Sequence, residues 1–221
     1  MQKIYGTIVK FVIVFLLATQ SAWASPTGLN NIPTTDVVGD KTLVLQGWLT
    51  AGDEMPPLYM TGFKYGIIDK LEIGLDSKVG SGDAGPIALQ GKFRIIEFDF
   101  GFSALTGTEG ITLDDEIGDN IVPYLAISQD LKFFRLHGGY NFQKDNFGLF
   151  FGIDKKFDVF EQELILRSDL KQVKDGDNVL ASGGILLTLP FNLVFETWIS
   201  VPSDDNDEES FTVKLNYVFK F

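Results

Sequence analysis

The chain predicts an all-β fold, a single up-and-down antiparallel transmembrane β-barrel of about twelve strands, and three observations carry that expectation. The end of the chain places Phe211, Val213, Leu215, Tyr217, Phe219 and Phe221 on one face and Thr212, Lys214, Asn216 and Lys220 on the other, the period of two that marks a strand. Most alternating segments run to about eight to eleven residues, which suits a tilted spanning strand better than the five or six usual in soluble sheets. The links between segments alternate between tight turns and longer loops rich in Gly and acid, the rhythm of a membrane meander.

Taken in order, the first strand covers residues 42–50 and the second, 58–67, points Lys64 inward. The link Ile68-Asp69-Lys70 leads to the third, 71–79, with Glu72, Asp76 and Lys78. The fourth, 87–95, carries Gln90, Lys92 and Arg94 and turns at Ile96-Glu97 into the fifth, 98–105, with Asp99 and Ser103. The sixth, 121–128, joins through 129–132 to the seventh, 133–142, with Arg135, His137 and Asn141. The eighth, 147–155, holds Asp154 and turns at Lys156-Phe157-Asp158 into the ninth, 159–169, with Glu161, Glu163 and Arg167. The tenth, 178–188, meets the eleventh, 193–201, with Glu196, through 189–192, and the twelfth is 210–221, with Lys214 inward. The longest loops are expected at 106–120 and 202–209. An even strand count puts both ends on the short-turn side, where Phe98, Phe100, Phe133, Phe134, Phe157, Phe160, Phe191, Tyr217 and Phe219 would form an interfacial girdle. A secreted β-sandwich would show the same alternation, and is the competing fold.

Residues 1–24 read as a cleaved signal peptide: Lys3 and Lys10, an apolar run from Phe11 to Leu17, then Ala22-Trp23-Ala24. Residues 25–41 are a Pro- and Asn-rich periplasmic segment or a small lumen plug, and 42–221 the barrel. Losing the two lysines takes the formal net charge from −12 to −14, which disfavours nucleic acid as a partner. The chain has no cysteine, so disulfides and thiolate metal sites are excluded.

The aromatic last strand, ending at Tyr217, Phe219 and Phe221, resembles the C-terminal assembly signal of Gram-negative outer-membrane β-barrels. The stretch Asn31-Ile32-Pro33-Thr34-Thr35-Asp36-Val37 is similar to the Asn-Ile-Pro-Thr-Ala-Asp-Val openings of an uncharacterised porin-like group of such proteins. The resemblance implies an outer-membrane location, with lipid, lipopolysaccharide and the barrel-assembly machinery as partners. It carries no known activity; no cofactor is expected, and a barrel enzyme is the less favoured alternative.

If the apolar face meets lipid, the other face lines a lumen. Its predicted charges are Lys64, Glu72, Asp76, Lys92, Arg94, Asp99, Arg135, His137, Asp154, Glu161, Glu163, Arg167, Glu196 and Lys214. Basic and acidic groups nearly balance, and neighbouring strands bring opposite signs together, where cross-strand pairs stabilise a wall. Two functions fit: a porin-like channel for passive passage of small polar solutes, or a closed structural or adhesive barrel acting through its acidic loops.

Chemistry is poorly supported. His137 is the only histidine. Outer-membrane phospholipases carry His-x-Ser on a strand, whereas Gly139 follows His137 by two; outer-membrane aspartyl-type proteases carry an Asp two residues before their His, where Arg135 stands. The loops Asp114-Asp115-Glu116 and Asp204-Asp205-Asn206-Asp207-Glu208-Glu209 offer oxygen ligands to divalent cations bridging to lipopolysaccharide, without the spacing of a defined calcium loop.

Overall fold

The structure, a computed structural model, describes residues 27–53, 55–80, 87–112, 122–143, 146–160, 162–173, 178–204 and 206–221. The strands are β1 (Thr42–Ala51), β2 (Leu58–Ile68), β3 (Leu71–Val79), β4 (Ala88–Glu97), β5 (Phe102–Thr112), β6 (Val122–Asp130), β7 (Arg135–Gln143), β8 (Asn146–Val159), β9 (Gln162–Val173), β10 (Asn178–Leu189), β11 (Leu193–Pro202) and β12 (Ser210–Lys220). Each pairs antiparallel with its chain neighbours, and β12 returns to β1 to close the barrel. Closure leaves every strand paired on both sides, which removes the exposed edge an open sheet would carry. Among the described residues there is no helix.

Thr42 pairs with Lys220, so both ends of the barrel meet at the rim that also carries the short turns. Phe221 closes that junction by donating its N–H to the Lys41 carbonyl at 3.0 Å.

Two short turns lie further along the chain than their composition suggests. Phe98, expected to open the fifth strand, instead starts a turn in which Gly101 N donates to Phe98 O at 2.9 Å and Phe98 N to Phe102 O at 2.8 Å. Gly101 adopts a φ of 87°, a conformation glycine reaches without a Cβ penalty. Asp99 therefore sits exposed in this turn and does not line the lumen, a correction to its predicted place. At the other turn, Lys156, Phe157 and Asp158 pair with Ile165, Leu164 and Glu163 and carry β8 on to Val159, so the reversal moves to Phe160, at a φ of 49°. On the opposite side, Thr106 to Thr112, expected as loop, continues β5 against β4 and β6 despite its Gly and Thr content. Ladder pairing overrides local composition here.

The outward positions are apolar around the wall: Leu45, Ile73, Phe93, Leu125, Ile127, Phe151, Leu166, Leu170, Ile199 and Leu215 are all exposed. An apolar surface of this extent is what a barrel turns to lipid, and water-soluble monomers rarely expose one. Near the short-turn rim Phe98 and Phe100 stack at 5.1 Å, and Tyr217 meets Phe219 edge-on at 4.4 Å. Phe133, Phe160 and Phe191 are exposed on the same rim, as an interfacial girdle requires.

Candidate functional site

The described part of the N-terminal segment, residues 27–41, runs inside the barrel. It enters at the short-turn rim, where Lys41 N donates to Gly66 O at 2.9 Å, and folds into a small hairpin with Gly28 bridged to Pro33 and Leu29 N bonded to Ile32 O at 3.0 Å. Glu72 of β3 clamps the two arms together: one carboxylate oxygen accepts from Thr27 Oγ1 at 2.9 Å, the other from Val38 N at 2.8 Å. Lys64 donates to Thr27 Oγ1 at 2.7 Å and stands 3.7 Å from Glu72, while Lys92 donates to the Thr27 carbonyl. The hairpin tip is held on the far wall, where Asn30 N donates to Asp169 at 3.0 Å and Asn31 Nδ2 reaches Ser182 and Ser200 at 2.6 and 2.8 Å.

A continuous polar chain fixes the remaining arm. Asp36 takes two N–H bonds from Arg135, each 2.8 Å; Arg135 also donates to Asp154 at 2.9 Å. Asp154 lies 2.9 Å from His137 Nε2, and His137 Nδ1 lies 2.7 Å from Ser128 Oγ. With the Nε2 proton facing the carboxylate, Nδ1 accepts from the serine hydroxyl, the tautomer the network imposes. Ser128 Oγ in turn accepts from Thr35 N at 3.3 Å, so the chain begins at Asp36 and returns to its neighbour Thr35. Burial alone would raise the Asp36 pKa, but the charge and paired N–H bonds of Arg135 outweigh it and hold the carboxyl below the ordinary aspartate range.

Serine, histidine and aspartate in sequence are the parts of a hydrolytic triad. Here the hydroxyl is covered by Thr35, the aspartate is shared with Arg135, and Ser128 and His137 are both 2% exposed. With the hairpin in place this constellation fastens a segment to the wall.

Apolar contacts complete the fit. Leu29 and Ile32 are buried with Leu105, Tyr124, Ala126 and Phe150, and Val38 with Val44, Ile165, Leu186, Val194 and Val218. Each such side chain contributes about 1.5–3 kcal/mol on burial. The wall makes room by omission: a Cβ on Gly152 would stand 2.4 Å from Leu29 Cδ1 and 2.7 Å from Ile32 Cδ1.

The predicted lumen residues divide into three groups. Lys64, Glu72, Lys92 and Arg135 hold the hairpin directly, while His137 and Asp154 back them up through Ser128 and Arg135. Arg167 and Glu196 form a buried ion pair across β9 and β11, joined by Asn216, while Asp76 accepts from Gln90 at 2.9 Å and Lys214 lies 5.1 Å above the Trp48 ring. Arg94 and Glu163 stay near the short-turn rim, where Arg94 reaches Glu97 at 3.2 Å and Asp69 O at 2.7 Å, and Glu163 pairs with Lys156. Glu161 lies outside the described residues, as do residues 1–24 and the loop acids Asp114, Asp115, Glu116 and Asp205. Asp204 spends one oxygen on Asn206 of its own loop, at 3.0 Å from the backbone N.

Above the hairpin tip the lumen keeps a cavity of about 300 Å³. Its floor is Asn30 and Asn31 and its walls include Trp48, Trp198, Gln46 and Lys214.

No protein-family model matches the chain, and no curated protein matches it in sequence. Solved structures share its fold. A KdgM porin in complex with disordered oligogalacturonate superposes with a TM-score of 0.63 at 12% identity, covering 80% of this chain and 99% of that one. The NanC porin gives 0.53 at 10% identity over 79% and 98%. An outer membrane channel from Pseudomonas putida F1 gives 0.52 at 10% identity over 88% and 99%. The fold is thus that of outer-membrane porins, reached with almost no sequence in common.

Ser128, Asp169, Ser182 and Ser200 were not singled out by sequence reasoning, nor were the apolar inward residues other than Phe150, which alternation turns inward. A signal for the apolar set exists: Leu149-Phe150-Phe151, Leu164-Ile165-Leu166, Ile185-Leu186-Leu187 and Leu193-Val194-Phe195 are apolar on both faces of a strand. A strand with lipid outside and water inside has no use for such triplets. They mark wall that faces something apolar within the lumen.

Proposed function

We propose that this protein is an outer-membrane channel for small polar solutes whose lumen is narrowed by its own N-terminal hairpin. The observation that carries the reading is the cavity of about 300 Å³ that stays open over the hairpin inside a polar-lined barrel of porin fold. The apolar outer wall supports lipid as its surroundings, with lipopolysaccharide at the acidic loops. The aromatic strand β12 supports delivery by the barrel-assembly machinery.

The second reading, a closed barrel that acts through its loops, draws on the hairpin's anchorage. It is hydrogen-bonded to every strand from β2 to β7 and from β9 to β11. Several of these anchors are charged, worth about 1.5–3 kcal/mol each, and they act together with the buried Leu29, Ile32 and Val38, which favours a hairpin that stays fastened and a lumen that stays closed beneath it.

Proteoliposome swelling with small sugars and amino acids tests the proposal. The chain has no cysteine, so an Asn31→Cys/Ser200→Cys pair, bridged by a short bis-thiol reagent, ties the hairpin tip to β11. Flux in wild type that falls on bridging supports a gated channel. Silent wild-type liposomes with verified insertion would leave the closed barrel.

A further inference from the structure

We propose that the chamber above the hairpin is a binding site for an uncharged, hydroxyl-rich ligand, a single sugar ring or polyol. The assignment rests on the channel reading only for how the ligand arrives, from the long-loop side.

The first argument is unmet hydrogen bonding. Gln46 is 4% exposed and donates Nε2 to Asn216 Oδ1 at 3.0 Å, yet its Oε1 has no partner among the described residues. Asn30, 8% exposed, gives its backbone N–H to Asp169 and likewise leaves Oδ1 unpartnered. Both residues line the chamber. Two buried acceptors without donors destabilise the empty chamber, and a ligand carrying O–H groups supplies the donors.

The second argument is charge. Of the chamber's lining side chains Lys64, Lys214 and Asp76 are charged, and Glu72 stands behind Lys64 at 3.7 Å. Two cations meet two anions. A net charge on the ligand would lose its hydration with no surplus of the opposite sign to receive it, whereas a neutral ligand loses only what hydroxyl bonds restore.

The third is shape. Trp48 and Trp198 stand among the chamber walls with the hydroxyls of Thr50, Ser200 and Thr212. Lys214 covers one face of Trp48 and Arg167 one face of Trp198, and the remaining indole surface beside amides and hydroxyls matches a ring with C–H faces and an equatorial edge of O–H groups, which both donate and accept.

Downstream of Trp23, which lies in the segment predicted to be cleaved, Trp48 and Trp198 are the only tryptophans, so intrinsic fluorescence reads this chamber. The folded protein in detergent is titrated with D-glucose, D-glucuronate and D-glucosamine, one ring in neutral, anionic and cationic form. The expected result is a saturable change with glucose, weaker by about tenfold for both charged rings, equivalent to ~1.4 kcal/mol. Gln46→Ala, which keeps both fluorophores, should weaken the glucose response by a similar factor, and heat-modifiable migration checks that it folds. Absence of a saturable glucose response in wild type, or a glucuronate response equal to or stronger than it, would overturn the assignment. Because the titration needs no passage, a barrel that fails to conduct but binds glucose refutes the channel and keeps the site.

Discussion

Asp36 of the N-terminal hairpin and Arg135 of β7 form a two-point ion pair, with both N–O separations 2.8 Å, and through it the hairpin joins the Asp154, His137 and Ser128 chain of the wall. Arg135 sits between two carboxylates, so its loss leaves both without their cation. Arg135→Ala should therefore lower stability by about 1.5–3 kcal/mol, the range for hydrogen bonds to charged groups, and expose the hairpin to protease. The measurement is the heat-modifiable midpoint together with proteolysis at residues 27–41; an unchanged midpoint and full protection would remove the pair from the hairpin's anchorage.

The same pair sets a pH expectation. Asp36 is held below the ordinary value of 3.8, so its stabilisation is complete above that value and is lost only as pH falls through the lower, folded-state pKa. Protection of the hairpin should be flat between pH 5 and 7 on account of this group, and Asp36→Asn should weaken it across that whole range. Loss of protection between pH 6 and 5 in wild type, abolished in Asp36→Asn, would contradict that assignment.

Gly152 offers a way to evict the hairpin without touching a charge. Gly152→Val puts methyl groups where Leu29 and Ile32 now lie, and overpacking of this kind costs about 1–3 kcal/mol. Gly183, on the outward face with nothing within 4 Å of an added Cβ, is the control. Gly152→Val should raise protease sensitivity at residues 27–41 and increase solute flux, with Gly183→Val like wild type. Equal behaviour of the two variants would show that the hairpin does not depend on that contact.

What the sequence made legible was the wall. Strict alternation in β12, tight turns on one side, and Lys64, Glu72, Arg135, Asp154 and Glu196 on inward positions are all local, and a period of two needs no knowledge of partners. Register was harder. Phe98 and Phe100 alternate like strand residues but stack in a turn, because the glycine that closes it stands at 101, and this moved Asp99 out of the lumen. The hairpin was the least legible part. Asn30, Thr35 and Asp36 meet partners 139, 93 and 99 residues away, and no local pattern encodes contacts at that separation. The pairing expectation was half right for the same reason: Arg135 and Asp154 do meet across β7 and β8, but Lys92 bonds the Thr27 carbonyl of the hairpin.

Leu149 and Phe150 separate lipid from lumen. Leu149 is 59% exposed and Phe150 is 3% exposed, as alternation requires, but the inner residue packs on Leu29 and Ile32 and does not face water. Leu149→Arg should cost about 2–4 kcal/mol as a charge presented to lipid. Phe150→Arg, tolerable in an open aqueous lumen, should here be as damaging and should also release the hairpin; Phe150→Ala should cost about 3–5 kcal/mol by leaving a cavity. Thermal midpoints of the three variants in detergent and in lipid are the measurement. A Leu149→Arg penalty that persists undiminished in detergent, or a silent Phe150→Ala, would count against this division of the wall.

Phe221 contributes little to the finished barrel: the residue is 77% exposed and its N–H makes one bond, to Lys41 O. A single exposed bond is worth about 0.5–1.5 kcal/mol, too little to decide whether a closed barrel survives. If the aromatic end acts as the signal read during insertion, its removal should therefore reduce how much barrel is assembled while leaving what does assemble nearly as stable. Deletion of Phe221, or Phe221→Asp, should lower the yield of heat-modifiable protein in the membrane fraction severalfold, with the unfolding midpoint of the surviving fraction displaced by no more than that one bond allows. Tyr217 and Phe219, paired edge-on and set against Leu45 and Leu43 of β1, differ in this respect, because they also lie along the seam that closes the barrel. Phe219→Ala should lower both yield and midpoint. A Phe221 deletion that assembles at wild-type yield, or one whose midpoint falls as far as that of Phe219→Ala, would show that the last residue serves the structure and carries no separate signal.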